Sequence, residues 1–397
     1  MVFRSSAGLI AARLGSRFRD LDLAQDALSA AFSAALKAWP VSGIPRVPEA
    51  WLYQVARRYV LDTFRRRATA DDYRRALIPE DAVAEASFET DFPDERLKLL
   101  FVCAHPSIAA DLHVPLMLNT VMRVEAHRLA GAFVVPASTM SQRLTRAKAK
   151  IRDARIPFII PEARDLAPRL HSVLGAIYAG YGIGWDEARQ RAGTEDLSRE
   201  CLDLARLTAE LSSRAPEALG LLALLLFSEA RRDSRCREGV YVPLAQQDTS
   251  TWRREDMVEG ARLLNAAFAG RHIGPFQIMA AIQNAHIDAR LTGTDFSSAI
   301  LQLYVSLRHL APSLGVETAY AIALANAATP EQGLEVLDTL DLERVRNYQP
   351  YWAARAELLR RLARSEETAY ALERAIGLTT DPAVRAYLMH KSLASTL

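Results

Sequence analysis

The sequence predicts an all-α chain, on three observations. Apolar residues recur at helical spacing almost from end to end, in text rich in alanine and leucine. Period-two alternation is nearly absent; the best stretch, Gly239-Val240-Tyr241-Val242-Pro243-Leu244, holds a proline that limits it to an edge strand or a loop. Prolines and glycines punctuate the helical text, first over residues 39–48 and later at Pro157 and Pro161. With 397 residues the chain is too long for one ordinary core, so two or more domains are expected.

The first block, about 7–67, reads as three helices. Residues 7–18 lead into Asp20-Leu21-Asp22-Leu23, and a second helix runs to about Ala38. Trp39-Pro40-Val41-Ser42-Gly43-Ile44-Pro45-Arg46-Val47-Pro48 is expected to be a loop, since its prolines and glycine deny helix continuation. The third helix starts near Glu49 and ends at Arg65-Arg66-Arg67. Residues 68–93 read as an acidic linker carrying Asp71, Asp72, Glu80, Asp81, Glu85, Glu89 and Asp91. A second helical block covers 94–160, and a long helical region fills 161–397, including the apolar run Leu219–Phe227, expected to be a buried helix segment.

Charge and cysteine usage narrow the function classes. Residues 1–160 carry 23 Lys+Arg against 17 Asp+Glu, and the remainder 26 against 30. The front is therefore the part suited to a polyanion. Cys103, Cys201 and Cys236 are odd in number and lack a CxxC pair, which points to reduced thiols in a cytoplasm and to neither a disulfide framework nor a zinc site. No apolar run reaches the ~18 residues of a membrane span, and the N-terminus lacks a signal-peptide layout.

Residues 124–155 carry the sharpest motif. Val124–Phe133 reads as a short amphipathic helix broken by Val134-Val135-Pro136. Ser138-Thr139-Met140-Ser141-Gln142-Arg143-Leu144 then opens a second helix with a hydroxyl residue as its N-cap. Leu129, Ala130, Phe133, Val135, Met140 and Leu144 are expected to form the small core between them. This is the helix-turn-helix layout, whose second helix enters the major groove. Ser138, Thr139 and Gln142 suit base edges or phosphates, and Arg143 suits guanine or phosphate bidentately. Arg146, Lys148, Lys150, Arg152 and Arg155 extend a basic stripe suited to backbone phosphates. A second candidate lies at 49–67, where Trp51, Tyr53, Tyr59 and Phe64 interleave with Arg57, Arg58, Arg65, Arg66 and Arg67. That mixture suits single-stranded DNA, although Trp51 and Phe64 read better as core.

Taken together, the two blocks resemble the extracytoplasmic-function group of bacterial sigma-70 family sigma factors. Asp22-Leu23-Ala24-Gln25-Asp26-Ala27-Leu28 and Trp51-Leu52-Tyr53-Gln54-Val55-Ala56-Arg57-Arg58 look like that family's second region. Thr139–Lys148 with Lys150-Ile151-Arg152 look like its fourth. The resemblance implies that 1–67 binds core RNA polymerase and opens the −10 element through Arg57, Arg58 and Arg65, with Asp22 and Asp26 on the polymerase-facing helix. The loop 41–48 would capture a flipped base. It further implies that Ser138, Thr139, Gln142, Arg143, Arg146 and Lys150 read the −35 element in promoter DNA. Leu97–Pro106, Arg155-Ile156-Pro157-Phe158, Glu217–Leu224, Gln247–Trp252 and Gly274–Ile278 look like a subgroup with a long C-terminal helical extension. The chain departs from the family at Ser29-Ala30, where Gln-Glu is usual, at Met122-Arg123, where Gly-Gly is usual, and at Arg128-Leu129-Ala130, where Glu-Ile-Ala is usual.

The rear reads as helical hairpins of tetratricopeptide type. Over 351–380, Ala356, Leu359, Thr368, Leu372 and Ala375 fall where that repeat wants small and packing residues, and Pro312 and Pro382 stand about two ~34-residue periods apart. The pairs 296–311 with 318–328 and 331–340 with 351–362 are consistent with stacking, and a concave face for a protein or peptide partner is expected. Gly180-Tyr181-Gly182-Ile183-Gly184 has no preceding strand and no GKS or GKT, so a turn is expected there instead of a nucleotide loop. The histidines lack metal spacing, and neither a catalytic motif nor a cofactor site is present, so no enzyme is expected. Two alternatives stay open: a helix-turn-helix regulator whose repeats sense a peptide, and a repeat scaffold with an inactive sigma-like head.

Overall fold

The computed structural model describes residues 3–67, 92–133, 135–190, 197–270 and 272–394, and among these the architecture is helix upon helix. The acidic linker, apart from its last two residues, lies outside the described residues. Contacts divide the chain into two compact units, Met1–Leu211 and Ser212–Leu397.

In the first unit, α1 (Phe3–Phe18), α2 (Leu21–Ser42) and α3 (Pro48–Arg67) pack around one core. The side chain of Asp20 accepts from the Leu23 backbone N–H at 3.0 Å and so caps α2. Ala24, Ala27, Ala31 and Ala35 then present small side chains every turn, which lets α1, with Ile10, and α3, with Leu52, pack closely on α2 beside Leu28. The expected loop at 39–48 begins later than the sequence suggested. Helix α2 runs through Pro40 to Ser42 and ends at Gly43, whose φ of 82° belongs to the left-handed region and whose N–H bonds to the Trp39 carbonyl. In the last turn a proline forfeits only one helical hydrogen bond, so Pro40 does not stop the helix.

Four further helices follow: α4 (Phe92–Cys103), α5 (Ala110–Thr120), α6 (Ala126–Ala132) and α7 (Ala137–Asp153). Then come α8 (Ala163–Gln190) and α9 (Leu197–Leu211). Residue 160 was the expected end of the front part, but α8 and α9 pair with each other and pack on α4 and α5, so they belong to the first compact unit. Gly180 through Gly184 do not form a turn; they lie inside α8. A Cβ on Gly184 would sit 2.4 Å from the Ser198 nitrogen, and one on Gly180 would sit 2.4 Å from Met122 Sδ. These glycines exist to let α8 cross α9 and the end of α5. Cys103 is buried in the same packing, 3.3 Å from Thr120 Oγ1, and burial pushes its thiol up to about 12.

The second unit opens with α10 (Pro216–Ala230), whose Leu219–Phe227 stretch is buried as expected. A two-stranded antiparallel hairpin follows, β1 (Cys236–Arg237) with β2 (Val240–Tyr241), in the register Cys236 to Tyr241. Next come α11 (Arg254–Phe268), α12 (Pro275–Thr292), α13 (Ser297–Leu310), α14 (Leu314–Ala327), α15 (Pro330–Asp338), α16 (Leu342–Val345), α17 (Gln349–Arg361), α18 (Ser365–Leu378) and α19 (Pro382–Ala394). Helices α13 and α14 pair, as do α17 and α18. Helix α15 lies between α14 and α17 and packs on both, where the sequence suggested a hairpin with α17 alone. Gly333 makes that possible, since a Cβ there would meet the Ala321 carbonyl at 2.5 Å. Ala356, Leu359, Thr368, Leu372 and Ala375 are all buried between α17, α18 and their neighbours.

Sequence motifs in this unit are structural pins. The Glu217 carboxylate accepts from the backbone N–H groups of Phe276 (3.2 Å) and Gln277 (3.0 Å), capping α12 from α10. Gly220 leaves room for the Gln277 backbone, whose nitrogen would lie 2.7 Å from a Cβ there. Trp252 Nε1 donates to Ser234 Oγ at 2.9 Å, and buried Gln247 donates to the Val242 carbonyl at 3.1 Å, tying the hairpin to its flanks.

Glu357 on α17 binds Arg360 (2.7 Å), Arg361 (3.3 Å) and Lys391 (2.7 Å). Burial works to raise its pKa, but the hydrogen bonds from Arg360 and Lys391 outweigh it and bring the carboxyl down to about 2. A depressed carboxylate stabilises the fold above its unfolded value near 4.3 and loses that contribution as pH falls toward 2. Glu357→Gln is therefore expected to cost roughly 1–2 kcal/mol at pH 7, less than the full shift implies because the group is partly solvated. In urea unfolding the gap between the two proteins should shrink steadily between pH 4.5 and pH 2.5.

Candidate nucleic-acid interface

Helices α6 and α7 form the expected helix-turn-helix pair. Leu129, Ala130, Met140 and Leu144 make its small core, while Phe133 is exposed and Val135 half-buried, so those two contribute less than the pattern suggested. Pro136 takes the N-cap position of α7 with no side-chain cap bond, which corrects the expected hydroxyl cap. Ser138 lies in the first helical turn instead. Its place leaves the hydroxyls of Ser138 and Thr139 exposed beside Gln142, Arg146 and Lys150 on one outward face of α7. Arg143 is half-buried and paired with Asp111 on α5.

The basic stripe divides. Lys148 is only 7% exposed, with its Nζ 3.2 Å from Asp22 Oδ1 and donating to Gln25 Oε1 at 2.7 Å. Arg152 lies 3.7 Å from Asp20 Oδ2 and hydrogen-bonds Asp153; that bond, together with Asp20 and Asp22, raises its pKa against a desolvation penalty. Lys148 and Arg152 stand one turn apart and face α2, whereas Arg146 and Lys150 face outward. The sequence placed all of them on phosphate. A buried ammonium needs partners, and removing one from such a pair costs about 3–5 kcal/mol, so Lys148 is committed to α2 while this contact lasts.

On the other block, Trp39 and Trp51 rings meet edge to face at 5.6 Å, Phe18 lies 6.1 Å from Phe64, and Tyr53 is buried under Arg13. Of the four aromatics only Tyr59 is exposed. Arg58 and Arg65 are exposed and Arg57 is half-buried; Arg65 lies 3.4 Å from Asp62. Asp26 is exposed, and Asp22 is half-buried against Lys148. At the end of α2 and in the loop after it, Leu36, Val41 and Ile44 project apolar side chains into solvent.

Residues 2–69 match the family model Sigma-70 region 2, and residues 169–268 match a family of unknown function, DUF6596. Uncharacterized protein R00370 of Rhizobium meliloti (strain 1021) is 37% identical over 384 residues, covering 94% of this chain and 89% of that protein. The chain belongs to that protein's family. Its α1–α3 block is a sigma-70 region 2 domain, which supports a sigma-70 family sigma factor. No solved structure matches the chain.

With the region 2 domain assigned, two of the departures from the sigma pattern acquire structural accounts. The Ser29 hydroxyl turns back to the Gln25 carbonyl at 2.9 Å, so an exposed position on α2 offers no long polar reach. Arg123 holds a φ of 58°, the left-handed conformation that a glycine adopts freely, and burial lowers its pKa. Among the described residues no group of three His, Cys, Asp or Glu side chains is placed to hold a metal ion, and no helix is long and apolar enough to cross a membrane.

The Arg143–Asp111 pair makes a measurable claim. Asp111→Asn removes the competing carboxylate, so duplex DNA is expected to bind several-fold tighter. The slope of log affinity against log salt should steepen by about one phosphate contact, near 0.9. Fluorescence anisotropy across a salt series measures both, and an unchanged slope would mean that Arg143 does not meet phosphate.

Proposed function

We propose that this chain is an RNA polymerase sigma factor of the extracytoplasmic-function group, whose C-terminal helical array modulates its activity. The observation that carries this reading is a region 2 domain in one chain with a helix-turn-helix whose outward face holds Ser138, Thr139, Gln142, Arg146 and Lys150. In this reading the region 2 domain meets core polymerase through Asp22 and Asp26. It holds the melted −10 strand through Arg57, Arg58 and Arg65 near the exposed Tyr59. Helix α7 reads the −35 element with its exposed residues and with Arg143 once that side chain leaves Asp111. The apolar projections at Val41 and Ile44 suit an unstacked base, which a single-stranded region presents without the cost of opening a duplex.

Modulation by the array rests on its length and on its groove. Pro243, Ala356, Thr368, Tyr387 and Lys391 line a cavity of about 790 Å³ with Glu357 and its three cations at one side. Such a hollow on stacked helices suits a protein or peptide segment.

Run-off transcription with core polymerase on sheared genomic DNA is expected to give defined starts that share an upstream motif. The double variant Arg143→Ala, Arg146→Ala should lose at least about tenfold of that signal, given ~1–3 kcal/mol for each good base contact. Absence of starts together with absence of polymerase in a pull-down would favour the free-standing helix-turn-helix regulator. For the array, a chain ending at Leu211 is the informative truncation, because ending at 160 would strip α8 and α9 from the core of the first unit. Promoter use by that shorter chain is expected to differ from the full chain in at least one growth condition; identical use in all conditions would remove the regulatory role.

A further inference from the structure

The hollow in the second unit forms where the end of that unit meets its beginning. Helices α17 and α18 supply most of its lining, α19 adds Tyr387, Leu388 and Lys391, and Pro243, Ala245 and Gln246 come from the segment after β2. The Tyr241 and Tyr387 rings meet edge to face at 5.6 Å and hold β2 against α19. Small side chains, Ala245, Ala353, Ala356 and Ala363, leave the space open beside the apolar Leu372 and Leu388. Its volume of about 790 Å³ falls within the ~300–1,000 Å³ of pockets that take small organic molecules.

The charge in this lining is unbalanced. Glu357 is its one carboxylate, and it holds three cations: Arg360 at 2.7 Å, Arg361 at 3.3 Å and Lys391 at 2.7 Å. One negative charge against three positive leaves two positive charges with no counter-ion in the lining. Stability does not ask for that excess, because partly exposed ion pairs add little and like charges gathered on one carboxylate repel. Glu357 also orients the cluster. It accepts from Nε and Nη2 of Arg360 but only from Nε of Arg361. The terminal amino groups of Arg361 therefore stay available as a fork, the geometry that suits a carboxylate or a phosphate. Burial works to lower the pKa of Lys391, but its hydrogen bonds to Glu357 and Tyr387 raise it, so the ammonium stays charged. Its Nζ lies 5.3 Å from the centre of the Tyr387 ring, which sets an aromatic face beside the cation.

We infer that this hollow binds a small organic anion, with a compact apolar body among Ala245, Ala356, Leu372 and Leu388 and a carboxylate or phosphate head on Arg361 and Lys391. The site deepens the modulatory reading of the array, on which its part in transcription rests, by naming the class of ligand. An occupant touches both the segment 243–246 and α19, so it stabilises the arrangement in which the two ends of the unit meet.

The test uses the full chain and anilinonaphthalene sulfonate, an apolar body with one negative charge whose emission rises away from water. One saturable site is expected. Phenylnaphthylamine, a similar body without the charge, is expected to bind at least about tenfold more weakly, the effect of one charge-assisted contact. Arg361→Gln, at an exposed position, should weaken the sulfonate at least about fivefold on the same ground. Ala245→Phe, also exposed, keeps every charge and should abolish binding by filling the hollow. Both variants are checked for an unchanged helical melt. Phenylbutyrate should displace the probe, and acetate at the same concentration should not. Equal affinity for the charged and neutral probes, or wild-type affinity in both variants, would overturn the site. A blocked peptide of aspartate and phenylalanine that displaces the probe at lower concentration than phenylbutyrate would overturn the small-molecule assignment. Every readout here is binding, so a failure leaves the sigma reading and the role of the array to be judged by promoter use.

Discussion

Among the described residues the packing is chiefly one helix laid on another, and the distance of approach is set by the smallest side chain at each crossing. No sheet beyond a two-stranded hairpin is present among the described residues to set spacing by hydrogen bonds. The work falls to alanine and glycine. Alanines at one-turn intervals along α2 bring α1 and α3 onto it, Gly180 and Gly184 let α8 cross its neighbours, and Gly220 and Gly333 do the same in the second unit. At these points an added methyl group would meet backbone or buried atoms and not open space, and overpacking of that kind typically costs 1–3 kcal/mol.

Within this packing, charge is partitioned by face. Helix α7 carries its basic residues all around its C-terminal half, yet they divide into a solvent-facing pair, Arg146 and Lys150, and an inward pair, Lys148 and Arg152. Arg143 is shared between the two roles through Asp111. The same economy marks Asp20, which both caps α2 and receives Arg152, so the local geometry that starts the helix also fixes where its partner docks. In the second unit the polar residues that stand out in sequence, Glu217, Gln247, Trp252 and Gln277, hold loops and helix starts in place. Their chemistry is that of capping and of buried hydrogen bonding, in which an unpaired group would be costly.

Helix class, the buried run at Leu219–Phe227 and the pairing of α6 with α7 across a short turn were all legible in the sequence. The reason is physical: periodicity and turn chemistry act within a few residues, so they leave a local pattern. Local signals also misled where tertiary packing overrode them. Pro40 promised a loop but sits in a last helical turn that tolerates it, and the glycines at 180–184 promised a turn but serve a helix crossing.

What only the tertiary structure decided is which residues face each other across long stretches of chain. Lys148 and Gln25 are 123 residues apart, and nothing in the text around either says that they meet. The placement of α8 and α9 with the front unit, the packing of α15 on two neighbours and the capping of α12 by Glu217 belong to the same class. A sequence determines the apolar face that each helix must bury, because burial of that face is what makes the helix stable in water. It does not state which other face will cover it, since many faces of similar width and hydrophobicity would serve; the choice is made by the fit of small and large side chains at each crossing and by the few charges, such as Lys148, that the fit encloses.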